Sequence, residues 1–234
     1  LAELVCSNSL KAKRLESAAG LLKAEMRVFG SVCMECADIA EVPAGGALAV
    51  DRDIFSQEIT NAVESDENIT LVREEITEIP KDGVVIIAAG PLMSDALAEE
   101  VGKLCGRDFL SFYDAAAPIV TADSIDMENA FTQSRYDRGG EDDYINCPMN
   151  KDEYEAFYEA LVGAEIAELH GFDKKQVYEG CMPVEIMAKR GEDTIRFGPL
   201  KPVGLRDPRT DKRPWAVVQL RKENSQLLNV INKF

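Results

Sequence analysis

The sequence has little or none of several features that define common protein classes. It contains one histidine, His170, and no apolar run near the roughly 20 residues that a membrane-spanning helix needs. The longest apolar run, Val84–Gly90, has the length of one strand. A G-x-G-x-x-G turn and a P-loop are also absent. We therefore expect no membrane partner, and any nucleotide site would need its phosphate-binding turn from residues not present here.

The six cysteines are not arranged as a metal site. Cys33 and Cys36, in the string CMEC, have redox or metal-ligand spacing, but there is no second C-x-x-C motif and a zinc site needs four ligands. Nothing in the sequence indicates secretion, so we expect free thiols, no metal and a cytoplasmic location. We interpret CMEC as two ordinary helix cysteines. A thiol-redox protein built on this motif is the alternative.

The charge is strongly negative but unevenly distributed. The chain carries a formal charge of −16, whereas residues 188–222 hold ten basic and four acidic residues. That segment is therefore +6 on a remainder of −22. A basic patch on an acidic body is typical of a phosphate-binding surface. The alternative is a solvated loop whose charges pair locally.

Apolar spacing predicts five helices. Ser7, Asn8 and Ser9 are candidate N-caps for a first helix that extends to about Phe29. Further helices are predicted over residues 31–40, around 55–63, over 94–106 and over 150–165. Ser94 or Asp95 would cap the fourth, and Gly106 would end it.

Other stretches favour strands and loops. Residues 42–52 form a predicted glycine-bearing loop, and residues 68–80 a pair of short strands. Residues 83–91 resemble a buried parallel strand whose Ala-Gly-Pro turn lies where ligands bind in open α/β sheets. The strings FLSFYDAAAPIV, TIRF, WAVVQL and LLNVINKF also predict strands. The predicted fold class is α/β, with a break near residue 93 and a second, α+β portion after it.

Two cysteines are candidates for thiolates. Cys181 comes just before Pro183, which suits the first position of a helix that we expect to reach Arg190 and to end at Gly191. Cys6 precedes the first predicted helix. The positive end of a helix dipole favours a thiolate over a thiol, and two such cysteines fit covalent chemistry at an electrophilic carbon. A structural cysteine in a turn remains the alternative for Cys181.

Many strings, in order along essentially the whole chain, resemble the folate- and FAD-dependent tRNA (uracil-5-)-methyltransferases, TrmFO. They include LAELVCSNSL, VPAGGALAVDR, REEITEIP, AAGPLMSDALAEE, EGCMP, RFGPLKPVGLRDPRT and RPWAVVQLR. The related wobble-uridine enzyme MnmG shares the flavin fold but not these strings. The family's amino-terminal G-x-G-x-x-G segment and its carboxyl-terminal part are missing, so we expect an internal fragment. By this resemblance, residues 1–92 are an incomplete Rossmann-like FAD-binding domain, and residues 93–234 are an α+β insertion domain and the start of the return to the FAD domain.

The resemblance implies a reaction and a set of site residues. The family forms ribothymidine in the tRNA T-loop with 5,10-methylenetetrahydrofolate, using FAD that NAD(P)H reduces. Its C6 nucleophile matches Cys181, and its second cysteine, near the flavin, matches Cys6. Contacts to the FAD adenosine half would come from Ile76, Ala89, Gly90 and Pro91, and contacts to tRNA from Lys189 and Arg190. A non-catalytic tRNA-binding fragment, or a MnmG-like uridine-modifying enzyme, is the alternative.

Overall fold

The computed structural model describes residues 1–5, 7–90, 93–106, 118–137, 143–165 and 182–230. The helices are α1 (Ala18–Val28), α2 (Val32–Ile39), α3 (Arg52–Ser65), α4 (Asp95–Cys105), α5 (Lys151–Gly163), α6 (Val184–Ala188) and α7 (Glu192–Phe197). The strands are β1 (Ser9–Ala12), β2 (Glu41–Val42), β3 (Ala47–Val50), β4 (Ile119–Thr121), β5 (Phe131–Thr132), β6 (Tyr144–Met149), β7 (Ala216–Lys222) and β8 (Leu227–Val230). Helices and sheets are mixed along the chain, which confirms the α/β class. None of the helices in these ranges is both long and apolar enough to cross a membrane.

The strands form two sheets. The first has three strands in the order β1-β3-β2, and the second has five in the order β4-β8-β7-β6-β5. All described pairings are antiparallel. The longest pairing runs from Tyr144 opposite Arg221 to Met149 opposite Ala216, and it places β7 at the centre of the second sheet.

Four of the five predicted helices are found close to their predicted positions. The Ser94 hydroxyl accepts the Leu97 amide at the start of α4, and Gly106 ends it in the left-handed region at φ 63°. Helix α5 begins with a capping box, in which Asn150 accepts the Glu153 amide and the Glu153 carboxylate accepts the Asn150 amide. Helices α2 and α3 lie where apolar spacing predicts them.

The prediction for the first helix was wrong at its beginning. Residues Ser9–Ala12 form β1, because they pair with the buried strand β3, and α1 begins only at Ala18 with Ser17 as its cap. Gly20, near the start of α1, is required by a close backbone contact. A Cβ there would stand 1.9 Å from the Arg14 carbonyl oxygen, so the chain can fold back at this point only with glycine.

The predicted strands over residues 68–80 and 83–91 are not found in the described part of the chain. Residues 68–90 contain no helix or strand, and Val84 is 97% exposed. Ile86 is 85% exposed, so the run is not buried. A parallel strand requires neighbouring strands for its backbone hydrogen bonds, and no described strand pairs with this stretch. An apolar run alone cannot supply that pairing.

The remaining strand and loop predictions have mixed outcomes. Strands β7 and β8 confirm the predictions from WAVVQL and LLNVINKF within the described residues. The string TIRF was wrongly predicted as a strand: it lies in α7, where Glu192 and Asp193 in the first turn favour a helix and Ile195 is fully buried. Residues 42–52 are not one loop, since β3 lies within them. In the string FLSFYDAAAPIV, only the end lies in the described residues, where β4 begins at Ile119.

Two apolar clusters hold these elements together. The first cluster joins α2, α3 and β3 through Met34, Cys36, Ala37, Ala40, Leu48, Val50, Phe55 and Ile59. The second joins α5, α6, α7 and β7 through Tyr154, Ala188, Ile195, Leu200 and Ala216. Tyr154 is fully buried and donates its hydroxyl to the Glu192 carbonyl. The aromatic residues Tyr154, Phe157 and Tyr158 of α5 therefore pack in the core.

Stability at alkaline pH is expected to depend on Tyr154. Burial, with smaller contributions from Glu192 and Asp193, raises the pKa of Tyr154 to about 12, whereas tyrosine in an unfolded chain has a pKa of about 10. The folded state therefore holds this proton more tightly. The resulting stability is complete below about pH 10 and is lost as the pH rises toward about 12.

The measurement is the urea unfolding midpoint of the wild type and of Tyr154→Phe at about pH 9 and about pH 11. The wild type should lose more stability between the two conditions than the phenylalanine variant. Equal losses would contradict the assignment of this titration to Tyr154.

Candidate functional site

The segment that contains Cys6 is held by two arginines. Cys6 itself lies outside the described residues. On one side of it, Arg52 donates to the Leu4 carbonyl over 3.1 Å. On the other side, Arg221 donates to the Ser7 hydroxyl over 2.9 Å and to the Asn8 side-chain carbonyl over 2.6 Å. The sequence on both sides of Cys6 is therefore attached to α3 and β7.

Asn8 fixes this segment between the two sheets. It is fully buried, and its amide donates to the Val50 carbonyl over 3.0 Å and to the Lys222 carbonyl over 3.1 Å. The Val50 amide in turn donates to the Asn8 carbonyl over 2.9 Å. One side chain thus connects β3 of the first sheet to β7 of the second.

The charges around this segment are buried and only partly balanced. Arg221 is 2% exposed, and burial lowers its pKa, while Tyr144 and Glu223 oppose that shift. Glu223 is 3% exposed and forms an ion pair with Arg52, and its other oxygen accepts the Asn229 amide over 2.8 Å. Arg52 forms the ion pair with Glu223, and Arg221 interacts with the same carboxylate through its charge. A net positive environment of this kind favours thiolates over thiols.

Cys181 also lies outside the described residues, but the sequence after it is described. Met182 is 2% exposed, and α6 begins at Val184 with Pro183 as its N-cap rather than as its first residue. The helix has five residues and ends at Ala188, so the expected continuation to Arg190 was wrong. A helix this short has a small dipole, and for Cys6 the chain continues into a strand. Helix dipoles therefore give little support to either thiolate.

The residues expected at FAD lie in an accessible stretch. Ile76 is 43% exposed, and Ala89 and Gly90 are exposed as well. Gly90 has a φ of 72°, which favours glycine, and a Cβ there would meet nothing within 4 Å. Pro91 lies outside the described residues. Apolar side chains and backbone polar groups of this stretch are therefore accessible to a ligand.

Lys189 and Arg190 are both exposed and lie in the turn between α6 and α7. Gly191 follows at a φ of 135°, a conformation that side chains rarely adopt. The turn therefore presents two cations to solvent. No described contact joins it to the stretch that contains Ile76 and Gly90.

A second concentration of positive charge lies in a pocket that we call the basic pocket. It has a volume of about 720 Å³ and is formed by the start of α5, the end of α7 and the loop before β7. Two acidic residues, Glu153 and Asp207, contribute to its lining. The six basic residues that line it are Lys151, Arg196, Lys201, Arg209, Lys212 and Arg213.

An arginine–tryptophan stack forms one wall of the basic pocket. The Arg196 guanidinium carbon lies 3.6 Å from the centre of the Trp215 ring and 4.6 Å from that of Phe197. Its ion pair with Asp193 is long, at 3.7 Å. The indole N–H of Trp215 is buried and has no hydrogen-bond partner in the described part of the chain. The cation is thus oriented mainly by aromatic rings.

The cysteine pair of CMEC shows no features of a reactive site. Cys33 is exposed and Cys36 is buried, and both are free thiols. Burial, followed by the nearby Glu58 and the other acidic neighbours, raises the pKa of Cys36, which makes its thiolate less accessible. Across the described ranges, no group of three or more histidine, cysteine, aspartate or glutamate side chains could hold a metal ion.

Sequence reasoning missed the roles of Arg52, Arg221 and Trp215. The one available signal was a charged residue directly after the apolar run in WAVVQLR, because a central strand seldom carries an arginine without a buried partner. The partner, Asn8, is 213 residues away in sequence. No local pattern could have connected the two.

Comparison with known proteins gives consistent matches along the chain. The family model described as Glucose inhibited division protein A matches residues 1–232. Three similar relatives are all named methylenetetrahydrofolate–tRNA-(uracil-5-)-methyltransferase TrmFO. The relative from Acetivibrio thermocellus is 61% identical over 96% of this chain and 51% of its own length. The relative from Lactobacillus helveticus is 60% identical over 96% and 55%.

The third relative, from Lactobacillus johnsonii, is 58% identical over 98% of this chain and 53% of its own length. The chain therefore spans about half the length of the curated relatives that it matches.

Proposed function

From the premise that the chain belongs to the Glucose inhibited division protein A family, whose fold is a Rossmann-like FAD-binding fold, we propose that it is part of a folate- and FAD-dependent tRNA (uracil-5-)-methyltransferase. The proposed product is ribothymidine in the T-loop of tRNA. The observation that carries this proposal is an identity of 58–61% to relatives of that name over nearly the whole chain. Because tRNA is a cytoplasmic molecule, we expect the protein to act in the cytoplasm.

The proposed chemistry uses a thiolate to activate the uracil ring. The C5 carbon of uracil is a poor nucleophile. The thiolate of Cys181 adds at C6, and the electron pair of the C5–C6 double bond moves into an enolate that can attack a methylene carbon. After the C5 proton is lost, elimination of the thiolate restores the double bond. Conversion of the attached methylene group to a methyl group would break its bond to the carrier and require a hydride equivalent, which reduced FAD would supply when bound. We assign the removal of that proton to Cys6.

Arg52 and Arg221 would act as positioning residues for Cys6. Their bonds to Leu4, Ser7 and Asn8 hold the backbone on both sides of this cysteine. Their excess positive charge over Glu223 favours the thiolate form that can accept a proton. This support comes from the described neighbours and takes the place of the helix dipole that the sequence predicted.

The residues proposed to contact FAD and those proposed to contact tRNA lie in two different exposed stretches of the chain. Ile76, Ala89, Gly90 and Pro91 would hold the adenosine half of FAD, and Lys189 and Arg190 would contact tRNA. When bound, FAD would supply the reducing equivalents obtained from NAD(P)H and carry the methylene group of 5,10-methylenetetrahydrofolate. The exposure of the described members of both sets supports these assignments.

The experiment that tests this function is a ribothymidine assay. Because the chain spans about half the length of its relatives, residues 1–234 are joined to the flanking parts of the Acetivibrio thermocellus relative. The protein is incubated with tRNA transcript, 5,10-methylenetetrahydrofolate, FAD and NADH, and nucleosides are measured by mass spectrometry. We expect ribothymidine that requires the folate. A correctly folded, flavin-containing protein that forms none would contradict the proposal.

A further inference from the structure

The basic pocket contains cations without counterions. Of its six basic residues, Lys151 pairs with Glu155, Arg209 with Asp207, and Arg196 with Asp193. The side chains of Lys201, Lys212 and Arg213 form no ion pair or hydrogen bond within the described ranges. Three positive charges in one pocket repel one another, and an anionic ligand would relieve that repulsion.

Both carboxylates that line the basic pocket have hydrogen-bond partners within the protein. Glu153 accepts the Asn150 amide over 2.8 Å as part of the helix cap. Asp207 accepts two side-chain bonds from Arg209, over 3.0 and 2.8 Å, and Arg209 holds the pKa of that carboxyl below its usual value. Asp207 is thus paired with Arg209, and Glu153 forms no ion pair with Lys212 or Arg213 among the described residues.

An exposed aromatic ring accompanies the cations. Phe197 lines the same pocket and is 66% exposed, with the Arg196 guanidinium against its ring. A pocket built for a small anion alone would gain little from an exposed apolar ring. Cations that track a phosphate backbone, beside an aromatic ring on which a base can stack, are typical of RNA-binding surfaces.

We propose that the basic pocket binds the sugar–phosphate backbone of the tRNA substrate, with Lys201, Lys212 and Arg213 on phosphates and Phe197 against a base. The identity of the RNA rests on the proposed function. The formal charge of −16 on the whole chain repels RNA. Binding is therefore directed to the few places where cations outnumber acids. The pocket of about 720 Å³ is large enough for more than a single phosphate group.

The test compares tRNA binding by the 234-residue chain and its variants, using fluorescence anisotropy at several KCl concentrations. The double variant Lys212→Ala/Arg213→Ala removes two exposed cations of the pocket. The matched control is Lys81→Ala/Arg14→Ala, which removes one exposed lysine and one exposed arginine outside the pocket. Circular dichroism and urea unfolding verify that all variants are folded.

We expect the pocket variant to bind tRNA about tenfold more weakly at moderate salt, and its plot of log Kd against log salt to be less steep by about 1 to 2. The control should remain within about twofold, because charges far from the ligand are screened. Phe197→Ala should weaken binding without changing the slope, since stacking releases no counterions.

Unchanged affinity and slope in the pocket variant, or equal losses in the control, would overturn the proposal. A wild-type chain that does not bind tRNA would overturn it as well. Binding needs no catalysis, so failure here is distinguishable from failure of the proposed function. If the wild type methylates tRNA and the pocket variant binds tRNA normally, only the proposal for the basic pocket is disproved. Pocket-dependent binding without ribothymidine formation disproves the methyltransferase assignment and leaves an RNA-binding protein.

Discussion

Replacing Cys181 by alanine is expected to abolish ribothymidine formation. Removing a covalent nucleophile typically lowers turnover by a factor on the order of 10⁴ or more, because the remaining groups cannot replace the bond that it forms. Without the thiolate at C6, the uracil ring does not become an enolate and C5 stays unreactive. The measurement is the ribothymidine assay on the protein joined to its relative's flanks. Cys6→Ala should also lose activity, through the C5 proton that it is proposed to remove.

The matched control for this experiment is Cys105→Ala. Cys105 is a free, exposed cysteine at the end of α4, and no described contact links it to the candidate site. Its replacement should leave the rate of ribothymidine formation unchanged and show that loss of a thiol alone is harmless. Wild-type turnover by Cys181→Ala would disprove the role of this cysteine as the C6 nucleophile.

Replacing Arg221 by methionine is expected to destabilise the fold by about 2–5 kcal/mol. Methionine fills much of the same volume but cannot donate hydrogen bonds. The Asn8 side-chain carbonyl, which is fully buried, would lose both of its bonds from Arg221, and Ser7 would lose one. Buried polar groups without partners carry the full cost of their lost hydration.

The urea unfolding midpoint of the 234-residue chain measures this effect. Arg206→Met is the control, since Arg206 is exposed and pairs with the exposed Asp211 over 2.9 Å. A surface pair of this kind contributes about 0–1 kcal/mol. If both variants lost the same stability, the connection between Arg221 and Asn8 would not be the contact that holds the two sheets together.

The ends of α4 and the beginning of α5 were predictable because they depend on neighbours along the chain. Ser94, Gly106 and the Asn150–Glu153 capping box act within four residues of the helix ends that they define. The strand predictions fared differently. Residues 83–91 have the composition of a buried strand, but β-structure requires a partner strand, and none of the described strands provides one. The TIRF string has β-forming residues, yet burial of Ile195 in the second cluster favours a helix.

For the candidate site, the sequence by itself determined which residues can carry the chemistry. Thiols, basic residues and the resemblance to a methyltransferase family are all local or cumulative properties that can be found along the chain. Only the tertiary structure decided which residues act together. It joined Arg52 to Leu4 and Arg221 to Ser7, the residues on the two sides of Cys6. It also showed which of the ten basic residues line the basic pocket without a counterion: Lys201, Lys212 and Arg213. The physical reason is that pairing and burial depend on contacts between residues far apart in sequence, which no local pattern contains.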